Sequence, residues 1–287
     1  MKMSRVGWAF WALAPVAALA YHYGPGQTAY VQDRAAKLQT TALTAEQAAM
    51  SAQDAAYQKH LAGIDARRAA FLSQDPGDET KAMQATKAED EAYAAAASKW
   101  KEVADSLNHV QDTLGQTAPA EARKIRWARA RATVRSGDIW GGINELETLV
   151  DEIDGDSHGD QALATSCREE LATAYYYGAR LLRLSGMPAQ EWMIESGKAR
   201  QHFRYLAENA DTGAKADTEN YQKNLELVLN LEQSTLVELQ GKALPKDSPK
   251  SCCQNNRNSM CKKKGKKPPT NKDGRGAGGA EEITEGW

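Results

Sequence analysis

The side chains best suited to chemistry are spread along this chain and do not cluster. Its five histidines fall on no spacing typical of a metal site or a catalytic triad: His22, His60, His109, His158 and His202. A glycan-cleaving enzyme needs paired acidic groups in a cleft, and His202, Glu195 and Tyr176 could supply acid–base groups only if the fold brought them together. We therefore predict a protein that is not an enzyme, with an enzyme carrying a non-obvious acid–base site as an alternative.

Two further segments raise the question of a metal ion or a disulfide. Acidic residues alternate over residues 154–160, as in a calcium-binding loop, but Thr165 stands where such a loop needs a bidentate glutamate. Cys252, Cys253 and Cys261 lack the spacing of a zinc site, and in an exported protein Cys261 could form a disulfide with either of the other two. We predict a solvated loop, no metal and no cofactor.

One predicted helix is strongly basic and carries the first candidate partner-binding residues. Arg126 and Arg129 on this helix could grip an acidic peptide, a phosphate or a terminal carboxylate. The next predicted helix carries four acidic residues that could instead pair with these arginines: Glu145, Glu147, Asp151 and Glu152. Both interpretations stay open at this point.

A second candidate set combines tyrosine and arginine, which often dominate protein interfaces. Its members could line a groove: Tyr176, Arg180, Arg183, Arg204 and Tyr205. Ordinary packing is the alternative interpretation. The spacing of Tyr175, Trp192 and Phe203 predicts that these three aromatic residues belong to the core.

The composition of the chain excludes several classes of protein. The chain has 287 residues, of which 26% are charged, 41% hydrophobic and 7% aromatic, with 22 glycines and 4 cysteines. These values exclude collagen-like, disulfide-dense and multi-span membrane proteins. The charge is uneven, because residues 242–287 hold 11 of the 36 basic residues and 5 of the 38 acidic ones. An acidic body therefore carries a basic tail.

The N-terminus is typical of a targeting segment. Lys2 and Arg5 precede an apolar run over residues 6–20 that ends in an Ala-x-Ala sequence. Residues 1–26 are accordingly predicted to be a cleaved signal peptide or, if the run extends to Gly24, a retained membrane anchor. The body would lie in the periplasm, attached to the inner membrane by a single span or released.

Residues 27–116 are predicted to form an antiparallel helical hairpin. Small and apolar residues recur every three or four positions on both sides of a turn at residues 75–78. The first helix has a seam made largely of alanine, which we expect to slip by one position after Ala56, toward Tyr57 and Phe71. Such a hairpin could serve as a stalk or an oligomerisation arm, or could simply be a packed pair of helices.

Residues 117–241 carry helical hairpins with a recognisable turn. After Gly137 and Asp138, a helix begins in which Gly142, Leu146 and Leu149 occupy packing positions. This pattern resembles tetratricopeptide repeats over about residues 121–209, which implies a helical surface that binds proteins. The first helix departs from the family pattern at Arg126, Arg129 and Thr133. The turn glycines Gly137 and Gly186 lie 49 residues apart, against about 34 in the family.

The last predicted helix spans residues 217–240 and would cap the stack. Residues 242–287 lose all periodicity, and we predict a disordered basic tail. The chain is thus expected to be all-α and to act as an exported or membrane-anchored, non-enzymatic scaffold that binds protein partners. An envelope protein that binds anionic polymers or lipids through the tail is an alternative. Because the chain is expected to be exported, nucleic acid is not a predicted partner.

Overall fold

The computed structural model describes residues 5–115, 118–209 and 215–250, and within these ranges every element is a helix and there is no strand. The predicted all-α class is confirmed. The contacts divide the chain into two units, Met1–Cys252 and Cys253–Trp287, and all described residues belong to the first. Its helices follow in order: α1 (Arg5–Tyr23), α2 (Pro25–Ser73), α3 (Pro76–Leu114), α4 (Pro119–Arg135), α5 (Ile139–Asp154), α6 (Gln161–Leu184), α7 (Ala189–Asn209), α8 (Lys215–Gln233) and α9 (Leu236–Gly241).

Helix α1 carries large apolar side chains that no other element covers. The following side chains of this helix are all largely exposed: Trp11, Leu13, Val16, Leu19, Tyr21 and Tyr23. Among the described residues, the helices lack a stretch of the length and hydropathy required to span a bilayer.

The turn between α2 and α3 forms where the sequence predicts it. Asp75 caps α3 by accepting a hydrogen bond from the Gly77 amide at 2.7 Å, and Pro76 occupies the first helical position, where no amide hydrogen is needed. Helix α2 ends at Gln74, whose backbone is left-handed with a φ of 53°. These local signals fix the boundary between two long helices that pack against each other.

The alanine seam of α2 is confirmed, but its predicted slip is wrong. Ala35, Ala42, Ala49 and Ala56 are buried against α3, whose buried residues recur every three or four positions from Tyr93 to Leu114, as the spacing predicts. Beyond Ala56 the seam keeps its phase through His60 and Gly63, which are buried, while Phe71 is 81% exposed. The predicted slip follows the apolar residues. The buried face of a helix instead recurs every three or four positions, whatever the residue type.

Helices α4 to α8 each pack chiefly on their neighbours in the chain, as expected for successive hairpins. Asp138 caps α5 by accepting from the Gly141 amide, and Asp160 caps α6 by accepting from the Leu163 amide. The predicted core residues Tyr175, Trp192 and Phe203 are buried.

The C-terminal part of the described chain differs from the prediction in two ways. The single predicted helix over residues 217–240 is broken, because Thr235 begins a new short helix, α9, with a reciprocal capping box to Glu238. Residues 242–250, predicted to be disordered, instead pack on α2, α3 and α6; we call this segment the strap. The rest of the predicted tail, including Cys252, Cys253 and Cys261, lies outside the described residues.

Candidate partner-binding groove

A groove runs along the alternate helices α4, α6 and α8 and continues onto α2. It has two open lobes, of about 380 Å³ and about 310 Å³, and both are lined by Trp127 of α4 and Ser166 of α6. We call them the first lobe and the second lobe. Because successive hairpins place every second helix on the same side, helices that are distant in sequence build one continuous surface.

Trp127 is held in a fixed position between the two lobes. Its indole Nε1 donates a hydrogen bond to the Ser166 carbonyl oxygen at 3.2 Å. The guanidinium of Arg131 lies 4.9 Å from the centre of the indole ring, and Arg131 is itself bonded to Glu46 of α2. An aromatic side chain that is held on two sides and still lines both lobes is a suitable anchor for a partner.

The first lobe is mainly apolar. Its floor consists of aliphatic side chains from α2, α3, α4 and α6: Ala42, Leu43, Leu107, Ile125, Ala128 and Leu163. Leu43 is 53% exposed although it is large and apolar. An apolar side chain of a partner would bury area here at a gain of about 25 cal/mol per Å².

The second lobe is mainly polar and presents amide groups on α8. Asn220 and Asn224 lie one helical turn apart and line the lobe together with Thr173 and Phe203. Within the described ranges, the side-chain amides of Asn220 and Asn224 make no hydrogen bond. Two accessible amides at this spacing could bond to the backbone of an extended peptide.

The groove is lined by more negative than positive charge. Its described lining residues include five carboxylates and one lysine: Glu46, Glu121, Asp160, Glu169, Glu170 and Lys124. Glu169 accepts a hydrogen bond from the Tyr221 hydroxyl, and Glu170 is bonded to Arg135 at 2.7 Å. Burial raises the pKa of Glu170, although the Arg135 guanidinium opposes this shift. The two neighbouring carboxylates of the second lobe are therefore already engaged in internal contacts.

The arginines of α4 do not form the basic binding face that was one interpretation of the sequence. Arg126 pairs with Glu152 of α5, and Arg129 pairs with Glu145 of α5. The alternative interpretation, in which these arginines pair within the hairpin, is confirmed for these two. Neither residue is among the lining residues of the two lobes.

Tyr176 and Arg180, which were expected in an open groove, lie in the core. Tyr176 is 8% exposed and Arg180 is 4% exposed. The Arg180 guanidinium donates to the carbonyl oxygens of Lys242 at 3.0 Å and Ala243 at 3.1 Å. Tyr176 and Arg180 are buried because α6 is the central helix of the stack, so that other elements cover nearly all of its sides.

The remaining predicted binding residues occupy two different places. Arg183 donates to the carbonyl oxygens of Leu231 and Ser234 at the end of α8, and its guanidinium lies 4.4 Å from the centre of the Trp192 ring. Arg204 is exposed on α7, and Tyr205 is 48% exposed with the Arg168 guanidinium over its ring. The structure does not bring Arg183 and Tyr205 into the groove, and the binding role of Arg204 and Tyr205 stays a prediction.

The acid–base groups considered from the sequence do not line the groove. His202 stacks on Tyr175 with ring centres 5.9 Å apart, and burial lowers the pKa of His202 to about 4. The Glu195 carboxylate lies 3.8 Å from the Lys198 ammonium in the interior. Among the described residues there is no group of three histidine, cysteine or acidic side chains that could hold a metal ion; within residues 154–160, Asp154 pairs with Arg168 and Asp156 with Arg123.

The sequence patterns do not single out Trp127, Asn220 or Asn224 as binding residues. A usable signal was present, because the pattern of hairpins predicts that α4, α6 and α8 share one side. No protein-family model, no curated protein and no solved structure matches this chain.

Proposed function

We propose that this protein is a non-enzymatic scaffold that binds a segment of a protein partner in the groove along α4, α6 and α8. The observation that carries the proposal is the continuity of an apolar lobe and an amide-lined lobe on either side of a fixed tryptophan. An open groove of this kind fits an extended or helical segment better than an enclosed small molecule. The resemblance of residues 121–209 to tetratricopeptide repeats supports the same proposal.

The charge of the groove specifies the chemistry of the partner segment. Ion pairs with Arg131, Lys124 and Arg135 neutralise three of its five carboxylates: Glu46, Glu121 and Glu170. The other two, Asp160 and Glu169, leave the described lining with a modest negative charge, so the groove favours a segment that carries lysine or arginine beside an apolar anchor. Rim charges of this kind mainly select the partner and accelerate its encounter, while the apolar anchor provides most of the affinity. The acidic peptide considered for a basic α4 is disfavoured by the same count.

Replacing Asn220 and Asn224 together with alanine is expected to weaken binding about tenfold or more, because two amide contacts to the partner backbone are lost. The probe is a set of synthetic peptides of about ten residues with one leucine or tryptophan and a varied number of lysines, followed by fluorescence anisotropy. Asn144→Ala is the matched control, because Asn144 is exposed on α5 and lies outside both lobes. Equal affinity for acidic and basic peptides, or unchanged affinity in the double variant, would contradict the proposal.

We further propose that the scaffold works outside the cytoplasm, delivered by its N-terminal segment. Lys2, Arg5 and the apolar run that follows support this part of the proposal. N-terminal sequencing of the protein recovered from fractionated cells is expected to begin at Tyr21 after cleavage, or at Met1 in the membrane fraction if the segment is retained. Native protein found in the cytosol with an intact N-terminus would argue against export.

A further inference from the structure

The strap is held on the hairpin by backbone hydrogen bonds, by the Leu244 side chain and by ion pairs of Lys246 and Lys250. The Gln53 amide donates to the carbonyl oxygens of Lys246 at 3.0 Å and Ser248 at 3.1 Å. The Leu244 side chain packs in a small cluster with Ala56, Tyr93 and Ala96. Because these groups recognise the strap backbone around a turn at residues 245–248 and one leucine, the strap has a defined docking position.

His60 also contacts the strap, and its two hydrogen bonds require one particular tautomer of the ring. Its ring is 6% exposed, and its Nε2 atom accepts a hydrogen bond from the Leu244 backbone amide at 2.9 Å. An acceptor nitrogen carries no proton, so the proton of the neutral ring is on Nδ1, where it is donated to the Glu89 carboxylate at 2.6 Å. Both ring nitrogens are therefore used, and the bond to the strap exists only while Nε2 is unprotonated.

Titratable and charged side chains from three elements lie around His60. From α3, Glu89 contacts the ring and Tyr93 lies 6.3 Å away between ring centres. From α2, Tyr57 lies 6.4 Å away and Arg67 reaches the far oxygen of Glu89 at 3.2 Å. From the strap, the Lys250 ammonium lies 3.1 Å from the near oxygen of Glu89.

The Glu89 carboxylate stays ionised over the range in which histidine titrates. Burial alone would raise its pKa, but hydrogen bonds from His60, Lys250 and Arg67 outweigh that effect and hold the pKa at about 2, below the ordinary value of 4.5. The Nδ1 side of the ring therefore faces a charged acceptor throughout this range.

We propose that the strap is a pH-sensitive latch that neutral His60 holds closed and protonated His60 opens. Protonation places a hydrogen on Nε2, which then faces the Leu244 amide hydrogen, so an attractive contact becomes a repulsive one. Turning the ring over does not restore an acceptor, because both nitrogens of the cation are donors. The bond between Nδ1 and Glu89 persists, so the change is confined to the strap side of the ring.

Opening would release Leu244 from its cluster and expose the surface of α2 and α3 that the strap covers. The bonds from Gln53 and Arg180 do not titrate in this range, and they limit the motion to a partial detachment centred on Leu244. The latch is independent of the groove, since its residues do not line either lobe.

Hydrogen exchange of the full-length protein, read by NMR at the Leu244 amide, tests the proposal. After correction for the intrinsic exchange rate, protection at Leu244 is expected to fall about tenfold or more between about pH 7.5 and about pH 5.5. The Val103 amide of α3 serves as the internal reference and is expected to keep its protection. In His60→Gln, whose amide oxygen can accept but has no proton-binding site, protection at Leu244 is expected to be the same at both pH values.

Three results would overturn the latch. The first is unchanged protection at Leu244 in the wild-type protein, and the second is an equal fall in His60→Gln. The third is a parallel loss at Val103, which would show global unfolding instead of local release. If His60→Gln does not fold, the nitrogen-15 shifts of the wild-type His60 ring decide, because the proposal requires an unprotonated Nε2 at the higher pH and protonation at the lower one.

Discussion

Replacing Gly142 with alanine is expected to destabilise the protein by about 2 kcal/mol, although alanine is the better helix former. Gly142 lies in the buried face of α5 where this helix meets α4. A Cβ atom there would lie 2.4 Å from Val134 Cγ2, 2.8 Å from the Ala130 carbonyl oxygen and 3.1 Å from the Val134 nitrogen. Two of these three atoms are backbone, so a side-chain rotation cannot relieve the overlap and the helices must separate.

Gly197→Ala is the matched control for this prediction. Gly197 also lies inside a helix, but an added Cβ would meet no atom within 4 Å. Here only the gain in helix propensity remains, so we expect the free energy of unfolding to rise by about 0.5–1 kcal/mol. Urea denaturation followed by circular dichroism measures both variants. A Gly142→Ala protein as stable as the Gly197→Ala protein would show that the two helices do not approach as closely as the structure has them.

The close approach at Gly142 also matters for the groove. It sets the distance between α5 and α4, and α4 carries Trp127, which lines both lobes of the groove. We therefore expect Gly142→Ala to weaken peptide binding as well, whereas Gly197→Ala is expected to leave it unchanged.

Most helix boundaries could be predicted because the signals that fix them are local. Asp75 with Pro76, and Asp138 after Gly137, act through contacts within a few residues of the boundary. The break before α9 is also local, since Thr235 and Glu238 form a capping box that is visible in the sequence. It was missed because the apolar spacing continues across it, which shows that periodicity alone does not detect a break in a helix.

The polar part of the hairpin seam was predicted wrongly for a different reason. Extending the seam in steps of three and four from Ala49 leads to Gln53, Ala56, His60 and Gly63, all of which are buried. The slip toward Tyr57 and Phe71 followed hydrophobic residues and ignored helix geometry. A polar residue at a seam position therefore indicates a buried contact that some other part of the chain must satisfy.

The strap could not have been predicted from local sequence. Its residues have the composition of a disordered tail, and the interactions that order it are of very long range: Gln53 bonds to Ser248 across 195 positions and His60 bonds to Leu244 across 184. The groove has the same origin, since Leu43, Trp127 and Asn224 come from separate helices. Sequence patterns predict which helices form, whereas the surfaces that they build together depend on how those helices pack.

Arg135→Met is expected to be the most destabilising single substitution that we predict, at about 3–5 kcal/mol. The Arg135 and Glu170 side chains are 12% and 11% exposed, and Arg135 Nη1 lies 2.7 Å from Glu170 Oε1. Arg135 also lies with its guanidinium 5.5 Å from the centre of the Trp100 ring and 3.8 Å from Asp247 of the strap. Without Arg135, the carboxylate of Glu170 would be left in the core without its cation.

Two variants separate the loss of this pair from a general loss of charge. Lys99→Met removes a cation from a pair in which both side chains are about half exposed, and we expect a change within about 0.5 kcal/mol. The double variant Arg135→Met with Glu170→Met is expected to recover much of the lost stability, because no unpaired charge remains in the core. Thermal and urea unfolding of the three proteins measure these differences.

The pH dependence of Arg135→Met gives an independent check. Burial already raises the pKa of Glu170 in the wild-type protein, with Arg135 opposing the shift, so removing Arg135 raises the pKa further. A carboxyl group whose pKa is higher in the folded than in the unfolded state destabilises the fold above that folded pKa, and the penalty decreases as the pH falls and the group binds a proton. The difference in stability between Arg135→Met and the wild type should therefore narrow as the pH falls from about 8 to about 5. A difference that stays constant over this range would mean that Glu170 is not the group responsible, and that the loss comes from the packing of Arg135 against Trp100.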